Sequence, residues 1–273
     1  MDRILWVHLR ILAWPSDVSL RSPSQITFRA ETRHPLTVKV NDERGEPLLG
    51  IVGRWHSLRA AGTEWRHHDR LTEAFERGST PPDGVGVTFI RARHVSALPE
   101  PSESREPWLL WIDKPDRKRA EFMVGDELQT VVFRGDHWWS WSRSRGIHTN
   151  DGRTNYGHGI GPSEGLLKTD LLSRALRVEE VSRGTLVDRD VLHLRGLPRT
   201  IGTADEHFVM TQALHPFGLG ADEYLFALDA EEGVLLRSEA RTVGAPFRIV
   251  EMSEIAFNVP FAADAFVIKP PTE

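Results

Sequence analysis

The densest group of aromatic side chains in this sequence lies in one short segment, HWWSWS, from His137 to Ser142. If this segment is a β-strand, alternate residues point to opposite faces. Trp139 and Trp141 then share a face with His137, and Trp138 lies on the other face. Two indoles beside an imidazole would suit an amphiphilic small molecule, since they combine apolar area with a polar group. The alternative is that the indoles fill a core between sheet and helices.

Three further residues are candidates for ligand binding. Arg119 and Arg134 lie in predicted strands next to the tryptophans and could bind an anionic head group, although exposed arginines are usually solvated. His158 lies in a glycine-rich segment, NDGRTNYGHGIGP, which could act as a mobile lid or be a simple surface connection. The predicted ligand-binding set is therefore His137, Trp139, Trp141, Arg119, Arg134 and His158.

The sequence offers no pattern for a metal or an organic cofactor. It has no cysteine, and it lacks the nucleotide-binding and nucleophile-elbow motifs. His67 and His68 are adjacent on a predicted helix, where neighbours point about 100° apart, so they would not share an ion. We expect no metal and no cofactor. A carboxylate facing a cavity could still act as general acid or base, and the strands offer several: Glu121, Glu239, Glu251 and Glu254.

Composition narrows the class of protein. The 273 residues carry a net charge of −5, and the basic residues are scattered among acidic ones, which argues against a nucleic-acid surface. No apolar run approaches the 18 or so residues of a membrane-spanning helix. The apolar run near the N-terminus is interrupted by His8 and Arg10, and no small-residue cleavage site follows. We therefore expect a cytoplasmic protein.

The elements that would position these residues are mostly strands. Gly125-Asp126 and Gly135-Asp136 predict tight hairpin turns on both sides of one strand. Thr63 predicts the start of a helix over Glu64–Arg77, and Ser163 or Thr169 the start of another that ends near Ala175 to Arg177. A polar loop is predicted over Pro99–Pro107. The predicted strands after residue 60 are Val85–Val95, Trp108–Ile112, Lys118–Val124, two more up to Ser142, Arg177–Arg183, Thr185–Arg195, His207–Ala213, Tyr224–Leu228, Val234–Val243 and Phe247–Val259.

These elements form an antiparallel meander with a few helices, an α+β layout. The last strand alternates, which places Phe247, Ile249, Ile255 and Phe257 on one face. The first part of the chain, including a hairpin that returns over Leu48–Trp55, is β-rich and of unknown role. The predicted domains are an N-terminal extension, residues 1–57, and a main domain, residues 63–273.

Four motifs in the main domain match a known pattern. They are Lys114-Pro115 with Arg119, Asp136 to Trp141, Asp229 to Glu239, and Phe266 with Pro270-Pro271. With them, residues 85–271 resemble the LolA/RseB-like lipoprotein-carrier superfamily. The resemblance implies an incomplete β-barrel, a curved antiparallel sheet covered by a few helices on its concave side, with an apolar cavity. Members bind acyl chains or envelope lipids, and an enzyme of violacein biosynthesis uses a similar half-barrel.

Three functions follow as hypotheses. The leading one is a cytoplasmic binding protein for a hydrophobic or amphiphilic small molecule in the half-barrel cavity. The second is a cofactor-independent enzyme of small-molecule biosynthesis that uses the same cavity. The third is an RseB-like regulatory module that meets a protein partner through residues 1–57.

Overall fold

The computed structural model describes residues 55–79, 102–150, 159–200 and 203–268. The elements in chain order are β1 (Ser57–His67), α1 (His68–Ser79), β2 (Glu103–Asp113), β3 (Arg117–Val124), β4 (Glu127–Arg134), β5 (His137–Ser142), β6 (Gly146–Thr149), a 3₁₀ helix (Gly161–Leu167), α2 (Thr169–Ala175), β7 (Leu176–Leu186), β8 (Arg189–Pro198), α3 (Ala204–Leu214), β9 (Glu223–Asp229), β10 (Leu235–Thr242) and β11 (Ala245–Phe257).

The eleven strands found in the described residues belong to one antiparallel sheet, in the order β6-β5-β4-β3-β2-β1-β11-β10-β9-β8-β7. The sheet therefore consists of two meanders, which we call the first wing (β1 to β6) and the second wing (β7 to β11). They meet where β1 pairs with β11. Short turns join most neighbours, which favours antiparallel pairing of consecutive strands. The sheet does not close, so the predicted α+β fold with a curved, incomplete barrel is confirmed.

The helices define the inner face of the sheet. Leu172 of α2 and Phe217, just after α3, belong to the same buried core as Phe226 of β9, and the rings of Phe217 and Phe226 meet edge to face at 5.6 Å. The hydroxyl of buried Tyr224 donates a 2.8 Å hydrogen bond to the carbonyl of Gly218. This pairing satisfies a polar atom that would otherwise be costly to bury. The inner face of the second wing is thus a packed core.

A β-bulge in β11 changes which side chains face this core. Met252 and Glu254 stand opposite Gly62 and Ala61, two consecutive residues of β1, so Ser253 has no partner there. The extra residue moves the following side chains to the other face. The prediction that Ile249 and Ile255 share a face is therefore wrong, since Ile249 stands opposite Trp65 and Ile255 opposite Ala60, on different faces of β1. The residues that it turns toward the core are Ile255 and Phe257.

Two predicted elements have the wrong type or boundary. The helix predicted over Glu64–Arg77 begins at His68, since the residues before it continue β1 between β2 and β11. The strand predicted over His207–Ala213 is part of α3. Thr203 and Glu206 form a reciprocal capping box at its first turn, with hydrogen bonds of 3.1 and 3.2 Å.

Smaller differences concern boundaries. The loop predicted over Pro99–Pro107 overlaps β2, which starts at Glu103. The hairpin between β7 and β8 turns at Val187 and Asp188, both in the left-handed conformation. The hairpin over Leu48–Trp55 and the strand over Val85–Val95 lie outside the described residues, apart from Trp55. The proposed division into residues 1–57 and 63–273 stays a prediction.

Candidate functional site

The first wing has a cavity of about 220 Å³ on its inner face. Trp138 is the only aromatic residue with an extended apolar ring among those that line it, and the others are polar. Because the wall combines one aromatic surface with hydroxyl, amide, imidazole and guanidinium groups, it can contact both parts of an amphiphile. The residues that line it are Gln129, Trp138, Ser140, Ser142, Arg145, His148 and Thr149.

Cross-strand pairing explains why the cavity lies here. Partners that stand opposite one another in an antiparallel sheet point to the same face, so each row of partners shares an environment. One inner-face row starts in the core and ends at the cavity: Ala60, Leu110, Ala120, Val131, Ser140 and His148. Its first four members are buried apolar residues, whereas the last two are polar and line the cavity. The inner face thus changes from core to site between β4 and β5.

Two side chains fix the strands around the cavity. Asn150, at the end of β6, accepts a 3.1 Å hydrogen bond from the backbone N–H of Trp138 and donates a 2.7 Å bond to the carbonyl of Asp136. Glu127 accepts hydrogen bonds from the hydroxyl and backbone N–H of Ser144, in the β5–β6 turn. The bonds from Ser144 lower the pKa of Glu127. Both ends of β5 are therefore tied to neighbouring strands.

The three aromatic residues predicted to bind ligand lie on the opposite face. His137, Trp139 and Trp141 alternate with the cavity residues of β5, so they point to the outer face. His137 is exposed and stacks on Trp139, with ring centroids 6.0 Å apart and planes at 18°. The structure therefore separates these residues from the cavity. Sequence reasoning missed Trp138, since indoles occur on both faces of the strand and no local signal says which face is the inner one.

The two predicted arginines contact this chain itself. Arg119 donates hydrogen bonds of 3.1 and 2.9 Å to the carbonyls of Ala265 and Val267. Arg134 donates two bonds, of 3.1 and 2.9 Å, to the carbonyl of Phe266. Both arginines lie on the outer face, beside Trp139 and not at the cavity. The sixth predicted residue, His158, lies outside the described residues, and the ligand-binding role of all six stays a prediction.

A buried ionic cluster lies at the junction of the wings. The carboxylate of Glu64 in β1 is 1% exposed and accepts a 2.6 Å hydrogen bond from Arg248 of β11, while Arg66 bonds its other oxygen. Burial alone would raise the pKa of Glu64, but the charges and hydrogen bonds of Arg248 and Arg66 outweigh it and hold the pKa below its ordinary value. Glu64 is therefore an ionised structural partner and a poor proton acceptor.

Glu106 of β2 lies at the edge of the same cluster. Its carboxylate is 3.4 Å from Arg66 and only partly buried. Desolvation by burial raises the pKa of Glu106, although the charge of Arg66 acts in the opposite direction. Next to it, His68 shares a 3.1 Å hydrogen bond with Ser104. A carboxyl with a raised pKa is the kind of group that general acid–base chemistry uses.

Within the described ranges, no group of three or more histidine and acidic side chains is placed to hold a metal ion. In the same residues, no helix has the length and apolar character needed to cross a membrane.

No protein-family model matches the chain, and neither does any curated protein. Among solved structures, the chain is similar to MucB, with 12% identity and a TM-score of 0.45 over 81% of this chain and 60% of MucB. It is also similar to lipoprotein LppX of Mycobacterium tuberculosis, with 10% identity and a TM-score of 0.40 over 77% of this chain and 91% of LppX. A LolA superfamily protein from Nitrosomonas europaea matches with 7% identity and a TM-score of 0.30, over 81% of this chain and 96% of that one.

These are structures of the kind that the sequence resemblance predicted, and the likeness is one of fold alone. The chain spans 60% of the length of MucB. With identities of 7 to 12% and TM-scores below 0.5, the matches carry no argument about function. What this protein binds has to be argued from its own side chains.

Proposed function

We propose that this protein binds an anionic amphiphile, with the polar group of the ligand in the cavity beside Trp138. The observation that carries the proposal is the lining of that cavity, which combines the indole of Trp138 with the side chains of Arg145 and His148. An aromatic wall holds apolar surface, while a guanidinium group and an imidazole suit a carboxylate or phosphate.

The size of the cavity limits what it takes. About 220 Å³ is below the usual range of several hundred Å³ for pockets that enclose a whole drug-sized ligand. The cavity therefore suits a head group and the first part of a chain. Ser140 and Ser142, which are buried and line the cavity, supply hydroxyl groups that can either donate or accept hydrogen bonds.

The two neighbouring tryptophans of β5 give a matched test. Binding of dansyl-undecanoate, a fluorescent fatty acid, is titrated into the wild type, Trp138→Ala and Trp139→Ala. We expect Trp138→Ala to weaken binding about tenfold, since it removes the aromatic wall, and Trp139→Ala to leave it within about twofold. Far-UV circular dichroism and thermal unfolding check that both variants fold.

Arginines of the β5–β6 turn test the charge. Arg145→Gln should weaken binding of the probe about fivefold, since it removes a cation from the cavity lining, whereas Arg143→Gln, in the same turn but not in the lining, should not. A loss in Trp139→Ala with none in Trp138→Ala would place the ligand on the outer face, as the sequence predicted, and would overturn the cavity. Absence of binding to the wild type would contradict the proposal altogether.

The enzyme stays the second candidate, and Glu106 is the observation that favours it. Glu106 faces the same side of the sheet as the cavity without lining it, and its raised pKa would be of use to an acid–base reaction on a molecule that extends from the cavity toward β2. Glu106→Gln should then abolish turnover of any substrate while leaving binding of the probe intact. The regulatory role through residues 1–57 and the cytoplasmic location stay predictions.

A further inference from the structure

The outer face of the first wing holds a segment of the chain by an unusual set of contacts. After β11, residues 259–268, which we call the C-terminal strap, have no helix or strand. Two short turns, closed by the N–H of Ala265 on the carbonyl of Ala262 and the N–H of Val267 on that of Asp264, shape it. Because no strand ladder holds the strap, its attachment depends on side chains of the sheet.

Two arginines supply that attachment. Arg119 and Arg134 together donate four hydrogen bonds, of 2.9 to 3.1 Å, to the carbonyls of three consecutive strap residues. Bonds from a charged donor are the stronger kind, and a backbone carbonyl is present in every peptide. These contacts therefore recognise the path of a peptide backbone and not its side chains. The three residues bound in this way are Ala265, Phe266 and Val267.

One aromatic side chain of the strap, Phe266, adds a contact that depends on residue type. Phe266 is 1% exposed and is the only fully buried side chain of residues 259–268. Its ring meets that of Phe261 edge to face at 5.3 Å, and the guanidinium carbon of Arg117 lies 5.2 Å from its centre. Peptide-recognition sites commonly combine main-chain hydrogen bonds with one pocket for a side chain. The strap occupies the outer face in this manner.

The surface continues beyond the strap. The next row of outer-face partners runs across five neighbouring strands, β2 to β6, and contains Leu109, Glu121, Thr130, Trp141 and Ile147. Leu109 and Ile147 are 40% and 54% exposed, which is unusual for large apolar side chains on a sheet face. A segment longer than the strap would therefore find further apolar contacts in this row.

We propose that the outer face of β2 to β6 is a docking surface for a peptide that carries a phenylalanine and takes the turn conformation of the strap, and that the C-terminal strap is its resident occupant. The partner peptide takes the place of Phe266 and accepts the hydrogen bonds of Arg119 and Arg134 on its backbone. A longer peptide then reaches the next row, where Leu109, Trp141 and Ile147 are the apolar members. This surface lies on the opposite side of the sheet from the cavity, so it does not depend on the proposed small-molecule function.

The strap peptide itself is the probe. A fluorescein-labelled peptide of residues 259–268 is titrated into the full chain and followed by anisotropy. In the wild type, the strap occupies the surface, and binding in trans is reduced by the fraction of molecules in which the surface is open. Phe266→Ala in the protein removes the anchor of the strap, and we expect it to tighten peptide binding about tenfold or more.

Three controls define the result. Phe208→Ala removes an exposed phenylalanine of α3, away from the surface, and should leave peptide binding at the wild-type level. Adding Arg119→Gln to Phe266→Ala should abolish the gain, and a labelled peptide with alanine at the position of Phe266 should not bind. A folded Phe266→Ala protein that binds the peptide no better than the wild type would overturn the proposal.

If Phe266→Ala does not fold, a second measurement decides. Phe266→Leu keeps an apolar side chain but loses the ring, and it should show a smaller gain in peptide binding. In parallel, amide hydrogen exchange of residues 260–268 in the wild type should accelerate when the unlabelled peptide is added in excess, because the strap is displaced. Unchanged exchange at saturating peptide, with no gain in Phe266→Leu, would show that the strap is fixed structure.

Discussion

The second wing carries a continuous series of ion pairs across five strands, whereas the first wing has separate ion pairs on its outer face and polar groups around a cavity on its inner face. Across the outer face of β7 to β11, acidic and basic side chains alternate and bond to one another. Arg195 of β8, for example, lies 2.6 Å from Glu223 of β9, and Arg237 of β10 lies 2.7 Å from Glu239. The whole series is Glu179, Arg195, Glu223, Arg241, Glu239, Arg237 and Glu251.

The inner faces of the two wings also differ, in how large and how apolar their side chains are. Helix residues and large side chains such as Phe226 and Tyr224 fill the inner face of the second wing. At the far end of the first wing, the corresponding positions of β5 are the small polar residues Ser140 and Ser142. Small side chains on a strand leave room for a guest, and polar ones keep it from becoming dry core. One continuous sheet can therefore be scaffold at one end and site at the other.

The largest loss of stability is expected from a substitution at the junction between the wings. Glu64→Ala would leave the guanidinium of Arg248 in a buried position without its carboxylate partner, and we expect it to lower the free energy of unfolding by about 3 kcal/mol. Urea denaturation with a check of the m-value measures the change. A loss under about 1 kcal/mol would show that the two wings do not depend on this ion pair.

The second-largest loss of stability is expected in the charge ladder of the second wing, which is the series of ion pairs from Glu179 to Glu251. The carboxylate of Glu239 is buried and bonds both Arg237 and Arg241, so Glu239→Ala should lower the free energy of unfolding by about 2 kcal/mol. Glu179→Gln, which removes an exposed carboxylate at the end of the same ladder, should cost less than about 0.5 kcal/mol. In the first wing, Arg145→Gln should also cost less than about 0.5 kcal/mol. Equal losses at all three positions would break the contrast between scaffold and site.

Acidification should lower the stability of the protein only at the acidic end of the range between pH 7 and 3. Burial raises the pKa of Glu64 and Glu239, but their arginine partners outweigh it and hold both below the ordinary value of 4.5. Their contribution to stability is therefore complete above pH 4.5 and is lost as the pH falls through the lower folded pKa values. Thermal unfolding between pH 7 and 3 should show this loss, and the decrease in melting temperature with pH should be smaller in Glu64→Gln than in the wild type. The same slope in both proteins would contradict the assignment.

Hairpins were the part of the fold that local sequence could predict. Gly125 and Gly135 both have positive φ, and each begins the tight turn that the sequence predicted there. The start of α1 was not predictable in this way, because Thr63 and Glu64 carry a local helix signal that pairing with β2 and β11 overrides. At α3 the local signal was correct and the prediction was wrong. Thr203 and Glu206 are a helix-capping pattern in the sequence, but the apolar residues that follow predicted a strand.

For the candidate site, too, local properties could be predicted from the sequence and long-range contacts could not. Sequence pointed to the tryptophan strand and to Arg119 and Arg134, because residue type and strand alternation are local properties. Which face of the strand is the inner one cannot be told from the local sequence, because it depends on which side of the sheet the helices cover. In the structure, Trp138 and not Trp139 lines the cavity. The strap carbonyls that the two arginines bind lie more than 130 residues away, at a distance that no pattern along the chain encodes.

By itself, the sequence determined the meander, most of its turns, and an aromatic strand with different chemistry on its two faces. These follow from backbone conformation and from the two-residue period of a strand. Only the tertiary structure decided which face holds the cavity, which charges are paired, and that the C-terminal strap lies across the outer face. The reason is physical: each of these depends on contacts between residues that are distant in sequence and that the path of the whole sheet brings together.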